Sequence, residues 1–271
     1  MQGVSRESLA TAEEQLDALL ATAGTDGTAV GQALFAVVDL LDANVSLRRA
    51  LTDPSNEADA KAGLIGRLLD GKVSADVVTL LSGMARSRWS RARDLSDSIE
   101  KLGSSAIIAG AEAGDRADRV EDELFRFERI VDADPELARA LADRAAPEAS
   151  KSALVDELIS AKAAPEAVVL IRRAVLNGRG QNLDRALDAN VQLAATRRDK
   201  LVAHVRVALP LEDDQRARLA AALTTLYGKR VHLNVDVDPS VLGGIRVEIG
   251  DEVLDGTVSR RLDDVRRQLS R

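Results

Sequence analysis

Two histidines and one glycine-rich run are the residues of this chain with the clearest potential for chemistry. His204 and His232 stand in neighbouring stretches with strand-like alternation, and a histidine pair can bind a metal or transfer a proton near neutral pH. Neither has an acidic residue at a recognisable ligand spacing, and the chain has no cysteine. The Asn-Gly-Arg-Gly run at 177–180 lacks the third glycine and the preceding strand of a dinucleotide-binding loop, and no P-loop pattern occurs. The sequence therefore predicts no catalytic, cofactor-binding or metal-binding residue.

A cluster of arginines surrounds the only tryptophan. Arg86, Arg88, Arg91 and Arg93 flank Trp89. Such a cluster can bind phosphate or a protein partner, but an exposed helix end whose arginines pair with carboxylates has the same sequence pattern. The second interpretation is favoured.

The composition predicts a folded protein built mainly from aliphatic helices. Aromatic residues make up 2% of the 271 residues, so leucine, valine, isoleucine and alanine must fill the core, and alanine lets helices approach closely. A net charge of −7 argues against a general nucleic-acid or anionic-membrane binder. No run approaches the roughly 20 apolar residues of a membrane span, and the N-terminus lacks the pattern of a signal peptide.

Apolar residues recur at helical spacing from about residue 6 to 200. Leu9 and Leu16 lie on the apolar face of a first helix, and a second helix follows with Asn44 as its expected end. Ser74 is a candidate N-cap of a later helix. Because the connections are short, consecutive helices should pack antiparallel in a bundle.

The helical region repeats itself at a spacing of about 90 residues. Leu34-Phe35 matches Leu124-Phe125, and Lys61 matches Lys151. Amphipathic alanine- and leucine-rich helices resemble one another in any case, but turns and charged positions coincide here as well. We therefore expect a duplicated helical unit.

Near residue 200 the pattern changes to that of a small α+β domain. Alternating segments predict strands at 201–207, 231–237 and 245–249 and a short strand near Val253, with helices at about 212–228 and 258–269. The expected fold is mainly α with a small α+β C-terminal domain: a duplicated N-terminal helical bundle, then a short four-stranded sheet with two helices. The expected domains are a first helical-bundle unit at 1–114, a second helical unit ending in a long helix at 115–200, and the α+β domain at 201–271.

The segment 238–251, Asp-Pro-Ser-Val-Leu-Gly-Gly-Ile-Arg-Val-Glu-Ile-Gly-Asp, is the strongest local signal, and it continues through Asp-Gly-Thr-Val at 255–258 into an amphipathic stretch. This order resembles the C-terminal signature of the delta subunit of F-type ATP synthase, the bacterial counterpart of the oligomycin-sensitivity-conferring protein. Residues 115–271 resemble an almost complete delta subunit, and Ser5-Arg6 is similar to the family's N-terminal opening, although its aromatic residue is absent. The additional ~90 residues resemble enlarged actinobacterial forms of the family.

The resemblance implies a non-catalytic stator subunit without a cofactor or a small-molecule substrate. It would link the catalytic head, at the N-termini of the alpha subunits, to the peripheral b-type stalk, so that rotor torque drives ATP synthesis. Its expected partners are those subunits and not nucleic acid. It would lie on the cytoplasmic face of the cell membrane, associated with the membrane only through the complex.

In the family the N-terminal helical bundle binds the alpha subunits, so the expected binding site is a groove between helices that involves the first helix. The candidate residues are Arg6, Leu9 and Leu16. Alternatively, the two leucines belong to the core.

The C-terminal domain would hold the stalk. The candidate contact residues are Leu242, Gly243, Gly244 and Ile245, unless the two glycines only form a turn.

Two other function classes remain open at this point. One is a regulatory module that binds a small molecule at the sheet, and the other is a helical-repeat scaffold for a different complex. An enzyme is the third and weakest alternative, because no nucleophile, metal cluster or nucleotide loop is present.

Overall fold

The computed structural model describes residues 3–143, 145–160, 163–177, 183–198, 200–228, 230–238, 243–249 and 252–255. The chain divides into two units, Met1–Arg197 and Arg198–Arg271.

In its described residues the first unit contains α-helices and one π-helical turn. In chain order they are α1 (Gly3–Leu20), α2 (Gly27–Ala43), α3 (Val45–Thr52), α4 (Ala58–Leu69), α5 (Ala75–Arg86), α6 (Ala92–Ala113), α7 (Ala117–Ala133), α8 (Pro135–Ala142), α9 (Glu148–Val155), the π-helical turn (Asp156–Ser160), α10 (Pro165–Leu176) and α11 (Leu183–Arg198).

Short polar residues begin and end several of these helices. Asp26 caps α2, since its carboxylate accepts hydrogen bonds from the backbone N–H groups of Thr28 and Ala29. Ser74 caps α5 through the N–H of Val77, and α2 ends at Asn44, as predicted for both.

The helices recur at the spacing found in the sequence. The bounds of α2, α3 and α5 are repeated 90 positions later by α7, α8 and α10. The counterpart of α4 is divided between α9 and the π-helical turn. The same shift places α1 on α6, and α6 on α11.

Helix α6 therefore belongs to both repeats. Its N-terminal part contributes Leu95, Ile99 and Leu102 to a core that also includes side chains of α1, α2 and α5. Its C-terminal part contributes Ile107 and Ile108 to a second core, formed with α7, α10 and α11. Within the first unit the two helical repeats share this helix.

Helices α2 and α6 pack at very short range through glycines. A Cβ placed on Gly31 would lie 2.6 Å from the carbonyl oxygen of Gly103 and would collide with the side chain of Ile107. A Cβ on Gly27 would lie 2.5 Å from the carbonyl oxygen of Ala106. Since real side chains do not approach so closely, only glycine fits at these positions without a shift of the helices.

The second unit has a four-stranded sheet and a helix. The strands are β1 (Lys200–Val207), β2 (Arg230–Val237), β3 (Ile245–Ile249) and β4 (Glu252–Asp255), in the spatial order β2-β1-β3-β4. Strand β1 is parallel to β2 and antiparallel to β3, which is antiparallel to β4.

Helix α12 (Asp213–Tyr227) connects β1 to β2, as a parallel pair requires, and ends at Gly228 with φ of +67°. Val205, Leu223 and Val247 lie in the core between helix and sheet.

The prediction of a mainly α protein with a small α+β C-terminal part is confirmed. The predicted last helix at 258–269 lies outside the described residues. The domain boundaries near 114 and 200 stay predictions. Within the described ranges no single helix is long and apolar enough to cross a membrane, although α2 and α3, bent by 105°, satisfy those criteria as a pair.

Candidate functional site

The N-terminal helix is held against the segment that joins α5 to α6. Ser5 lies at the centre: its hydroxyl donates to Asp94 at 2.8 Å and accepts from the backbone N–H of Ser90, also at 2.8 Å. One turn later, the hydroxyl of Ser8 donates to the carbonyl oxygen of Arg88 at 2.7 Å. These three bonds fix the position of the arginine and tryptophan segment relative to α1.

Asp94 is fully buried at this junction, yet its carboxyl group stays ionised. Burial alone would raise its pKa, but the hydrogen bonds from Ser5 and Arg91, together with the charge of Arg91, outweigh burial and lower the pKa below the ordinary 3.8. A carboxyl group whose pKa is lower in the folded protein than in the unfolded chain stabilises the fold at pH values above its ordinary pKa. This contribution is lost as the pH falls through the pKa of the folded protein.

We therefore expect Asp94→Asn to lower the free energy of unfolding at pH 7 by about 1.5–3 kcal/mol, the range for hydrogen bonds to a charged group. The deficit should shrink as the pH falls below 3.8 and through the lower pKa of the folded protein, where the wild-type carboxyl group of Asp94 becomes protonated as well. Urea denaturation at pH 7 and at about pH 2.5 measures both values. Asp59→Asn is the control, because the Asp59 side chain is 89% exposed. An Asp94→Asn deficit that is the same at both pH values would contradict this role.

Most of the arginine cluster is paired with carboxylates, as the favoured interpretation predicts. The ion pairs are Arg86 with Asp59 at 3.0 Å, Arg91 with Asp94 at 2.9 Å and Arg93 with Asp97 at 3.7 Å.

Arg88 differs from the other three arginines. It is exposed and has no ion-pair partner among the described residues. The tryptophan beside it is buried, and its indole N–H donates to the carbonyl oxygen of Met84 at 2.9 Å.

A pocket of about 180 Å³ opens beside Trp89. It is lined by Val4 of α1, by Thr52 at the end of α3 and Pro54 after it, by Lys61 of α4 and by the segment 88–90. Sequence reasoning missed Lys61 as a candidate site residue. The available signal was a lysine on the apolar side of a helix, repeated 90 positions later by Lys151, which is also buried.

The predicted contact residues of the first helix occupy different environments. Arg6 is exposed, whereas Leu9 and Leu16 lie in the first core, with 8% and 1% of their surface accessible. Both leucines therefore lie in the core, as the alternative interpretation proposed. Their role in binding a partner stays a prediction.

The predicted C-terminal contact is only partly described. Leu242 lies outside the described residues. Gly243 and Gly244 have φ of +83° and +89°, a conformation that strains other residues, and Ile245 begins β3 and packs against its core. The two glycines are thus explained by the positive φ that the backbone requires here. Their contact with a partner stays a prediction.

Among the described residues, neither the two histidines nor the glycine-rich run forms a binding or catalytic site. In the sheet, His204 pairs with Asn234 and His232 with Val202, so the two histidines are not directly opposite one another. Asn177 donates to Asp39 at 3.1 Å, and residues 178–180 lie outside the described part of the chain. Among the residues that the structure describes, no three His, Asp or Glu side chains are arranged to bind a metal.

Two arginines with largely buried side chains were not predicted from the sequence. Arg173 of α10 pairs with Asp39 of α2 at 2.7 Å and with Glu100 of α6 at 2.6 Å. Arg197 of α11 pairs with Asp17 of α1 at 3.1 Å and with Glu112 of α6 at 3.0 Å. No local pattern could reveal these partners, because they are far away in the sequence. The pairs join the second helical repeat to the first.

Comparison with known proteins gives matches over the whole chain. A family model described as ATP synthase delta (OSCP) subunit matches residues 99–269, a range that begins within the shared helix α6. A protein of Streptomyces avermitilis named ATP synthase subunit delta is 48% identical over 268 residues, which cover 99% of this chain and 98% of the relative. A protein of the same name from Kineococcus radiotolerans is 47% identical over 268 residues, which cover 99% and 97%.

A solved structure gives a weaker match. One chain of the Toxoplasma gondii mitochondrial ATP synthase hexamer, determined by cryo-EM, is 23% identical. The match covers 62% of this chain and 95% of that one, with a TM-score of 0.29, which is too low to support an argument.

Proposed function

Because this chain belongs to the ATP synthase delta (OSCP) subunit family, we propose that it is the stator subunit linking the catalytic head to the peripheral b-type stalk. A delta subunit is a structural component of the F-type ATP synthase and not its catalytic one. The linkage would hold the head still, so that rotor torque drives ATP synthesis. The chain would lie at the cytoplasmic face of the cell membrane, as part of the membrane-bound complex.

The observation that carries this proposal is the division of the chain into two units with separate cores. A tether between two bodies needs two attachment surfaces, and the helical unit and the α+β unit each offer one on an independently packed scaffold. Load on the helical unit would be borne by the packing of α2 against α6 and by the ion pairs of Arg173 and Arg197.

In this proposal the helical unit binds the N-terminal segments of the alpha subunits beside α1. Arg6 is exposed on this helix, and its side chain makes no hydrogen bond or ion pair with another described residue. A contact at Leu9 and Leu16 would require α1 to move relative to α5 and α6, since both leucines are packed in the core. The α+β unit would bind the stalk near Gly243, Gly244 and Ile245.

The test is purification of the tagged full chain from its own membranes in mild detergent, with mass spectrometry of the co-purifying proteins. We expect the alpha, beta and b-type subunits in stoichiometric amounts. Arg6→Glu should lower the recovery of the alpha subunit roughly threefold, because a charge at the rim of an interface contributes less than about 1 kcal/mol. Arg67→Glu is the matched control, since Arg67 is an exposed arginine on α4.

Two results would contradict the proposal at different levels. If none of these subunits is recovered although the bait is intact and the synthase is assembled, a helical-repeat scaffold for another complex becomes the better interpretation. If the subunits are recovered and Arg6→Glu equals the Arg67→Glu control, the stator function stands and the contact at Arg6 is wrong.

A further inference from the structure

Lys61 is a cation on a largely buried residue. The residue is 5% exposed, and among the described residues its side chain makes no hydrogen bond or ion pair. Burial, and then the charge of nearby Arg88, lower the pKa of its ammonium group below the ordinary value, while Asp53 acts in the opposite direction. The carboxylate of Asp53 accepts hydrogen bonds from the N–H and the hydroxyl of Ser55 instead. Partial burial of an ammonium group without a counter-charge costs free energy, so an apolar residue would suit this position at least as well for stability alone.

Lys61 and Arg88 line the same pocket. The other arginines of the cluster are neutralised by Asp59, Asp94 and Asp97, so the positive charge that remains available is concentrated on these two side chains. The apolar residues of the lining are Val4, Pro54 and Trp89. The pocket therefore combines two cations with a largely apolar interior.

The size and the donors of the pocket limit the ligand. A cavity of 150 Å³ in another protein holds benzene, so about 180 Å³ has room for one short side chain but not for a nucleotide. Phosphate is usually bound by several backbone N–H groups, but the N–H of Ser90 already donates to Ser5. A carboxylate on a short aliphatic stem can pair with both cations and place its methylene groups against the apolar walls.

We propose that this pocket binds the side-chain carboxylate of an acidic residue of a protein partner, with Lys61 as the inner ion-pair partner and Arg88 as the exposed one. The proposal goes beyond the stator function and does not depend on it. It assigns a role to the tryptophan as well. Trp89 lines the pocket, and its position is fixed by the hydrogen bond of its indole N–H to Met84 and by the bonds that hold α1 against the segment 88–90.

The tryptophan provides a direct test, because Trp89 is the only one in the chain. The full chain is titrated with N-acetyl-glutamate amide while the single indole N–H signal is followed by NMR. We expect a saturable shift with a dissociation constant of roughly 1–10 mM, typical of so small a ligand. The uncharged isostere, N-acetyl-glutamine amide, should bind at least roughly tenfold more weakly. Inorganic phosphate should cause a smaller shift than the glutamate probe.

Variants separate binding from folding. Lys61→Met keeps the stem and removes the charge, so it should abolish the shift while leaving the melting temperature unchanged or higher. Arg88→Met should weaken binding several-fold, and Arg67→Met, an exposed position on the same helix as Lys61, should have no effect.

Three results would overturn the proposal. They are an equal response to the glutamine probe, an equal or larger response to phosphate, and retention of the shift by folded Lys61→Met. If Arg88→Met binds the glutamate probe with full affinity, the role of Arg88 is wrong. None of these outcomes depends on whether the chain co-purifies with ATP synthase subunits.

Discussion

Gly31→Val should lower the free energy of unfolding of the helical unit by about 3 kcal/mol, the upper end of the usual range for overpacked cores. The first added atom would already lie 2.6 Å from the carbonyl oxygen of Gly103, in backbone that cannot rotate away. Helices α2 and α6 would have to separate, and the loss of contact would extend through both cores, because α6 contributes to each. Urea and thermal denaturation followed by circular dichroism measure the change.

The matched control is Gly66→Val in α4. A Cβ on Gly66 would have no heavy atom within 4 Å, so the same substitution should change the stability by no more than about 0.5 kcal/mol. An equal loss for both variants would mean that the effect comes from valine in a helix and not from the close approach of α2 and α6.

Arg173→Met should have the second large effect, a loss of about 3 kcal/mol. The Arg173 side chain is 8% exposed. Its guanidinium group donates to both carboxylate oxygens of Glu100 and to Asp39, and it lies 4.6 Å from the centroid of the Phe35 ring. Removing one partner of a buried ion pair typically costs about 3–5 kcal/mol. We expect the lower end of this range because Asp39 is half exposed and water can hydrate its carboxylate when the arginine is removed. The measurement is the free energy of unfolding from urea denaturation at pH 7.

Two further variants test the reason for that loss. Arg172→Met on the same helix removes an ion pair with Asp156 that is more exposed, so its cost should stay below about 1 kcal/mol. Combining Arg173→Met with Glu100→Gln and Asp39→Asn should recover part of the loss, because the two carboxylates no longer lack a counter-charge. If the triple variant is less stable than Arg173→Met alone, unpaired charge is not the cause.

Local patterns in the sequence were sufficient for most of the secondary structure. Apolar spacing predicted α1 and α2, Asn44 marked the end of α2, Ser74 capped α5 and Gly228 ended α12 in the left-handed conformation that glycine adopts easily. These features depend on residues within one or two turns of each other. The repeat was also visible, since it preserves turns as well as apolar positions.

The arrangement of the elements was not predictable in the same way. Strand order β2-β1-β3-β4 depends on which edge of β1 each strand joins, and alternation alone does not distinguish the edges. In the sequence, Arg173 and Arg197 cannot be distinguished from exposed arginines on a helix, because their partners are 73–180 positions away. At the candidate site, Trp89 and its arginines were visible in the sequence, whereas the contribution of Lys61 depends on the packing of α4 against α5.

The shared helix α6 also affects how the helical unit would respond to pulling. Domains joined by a linker can unfold one after another, and each event lengthens the chain while the rest stays folded. Here the loss of α6 from one core removes a wall of the other, so we expect that neither core unfolds while the other stays folded. Amide hydrogens in both cores should therefore exchange through a single cooperative opening, and a force applied to the unit should meet a stiff body that does not extend in steps.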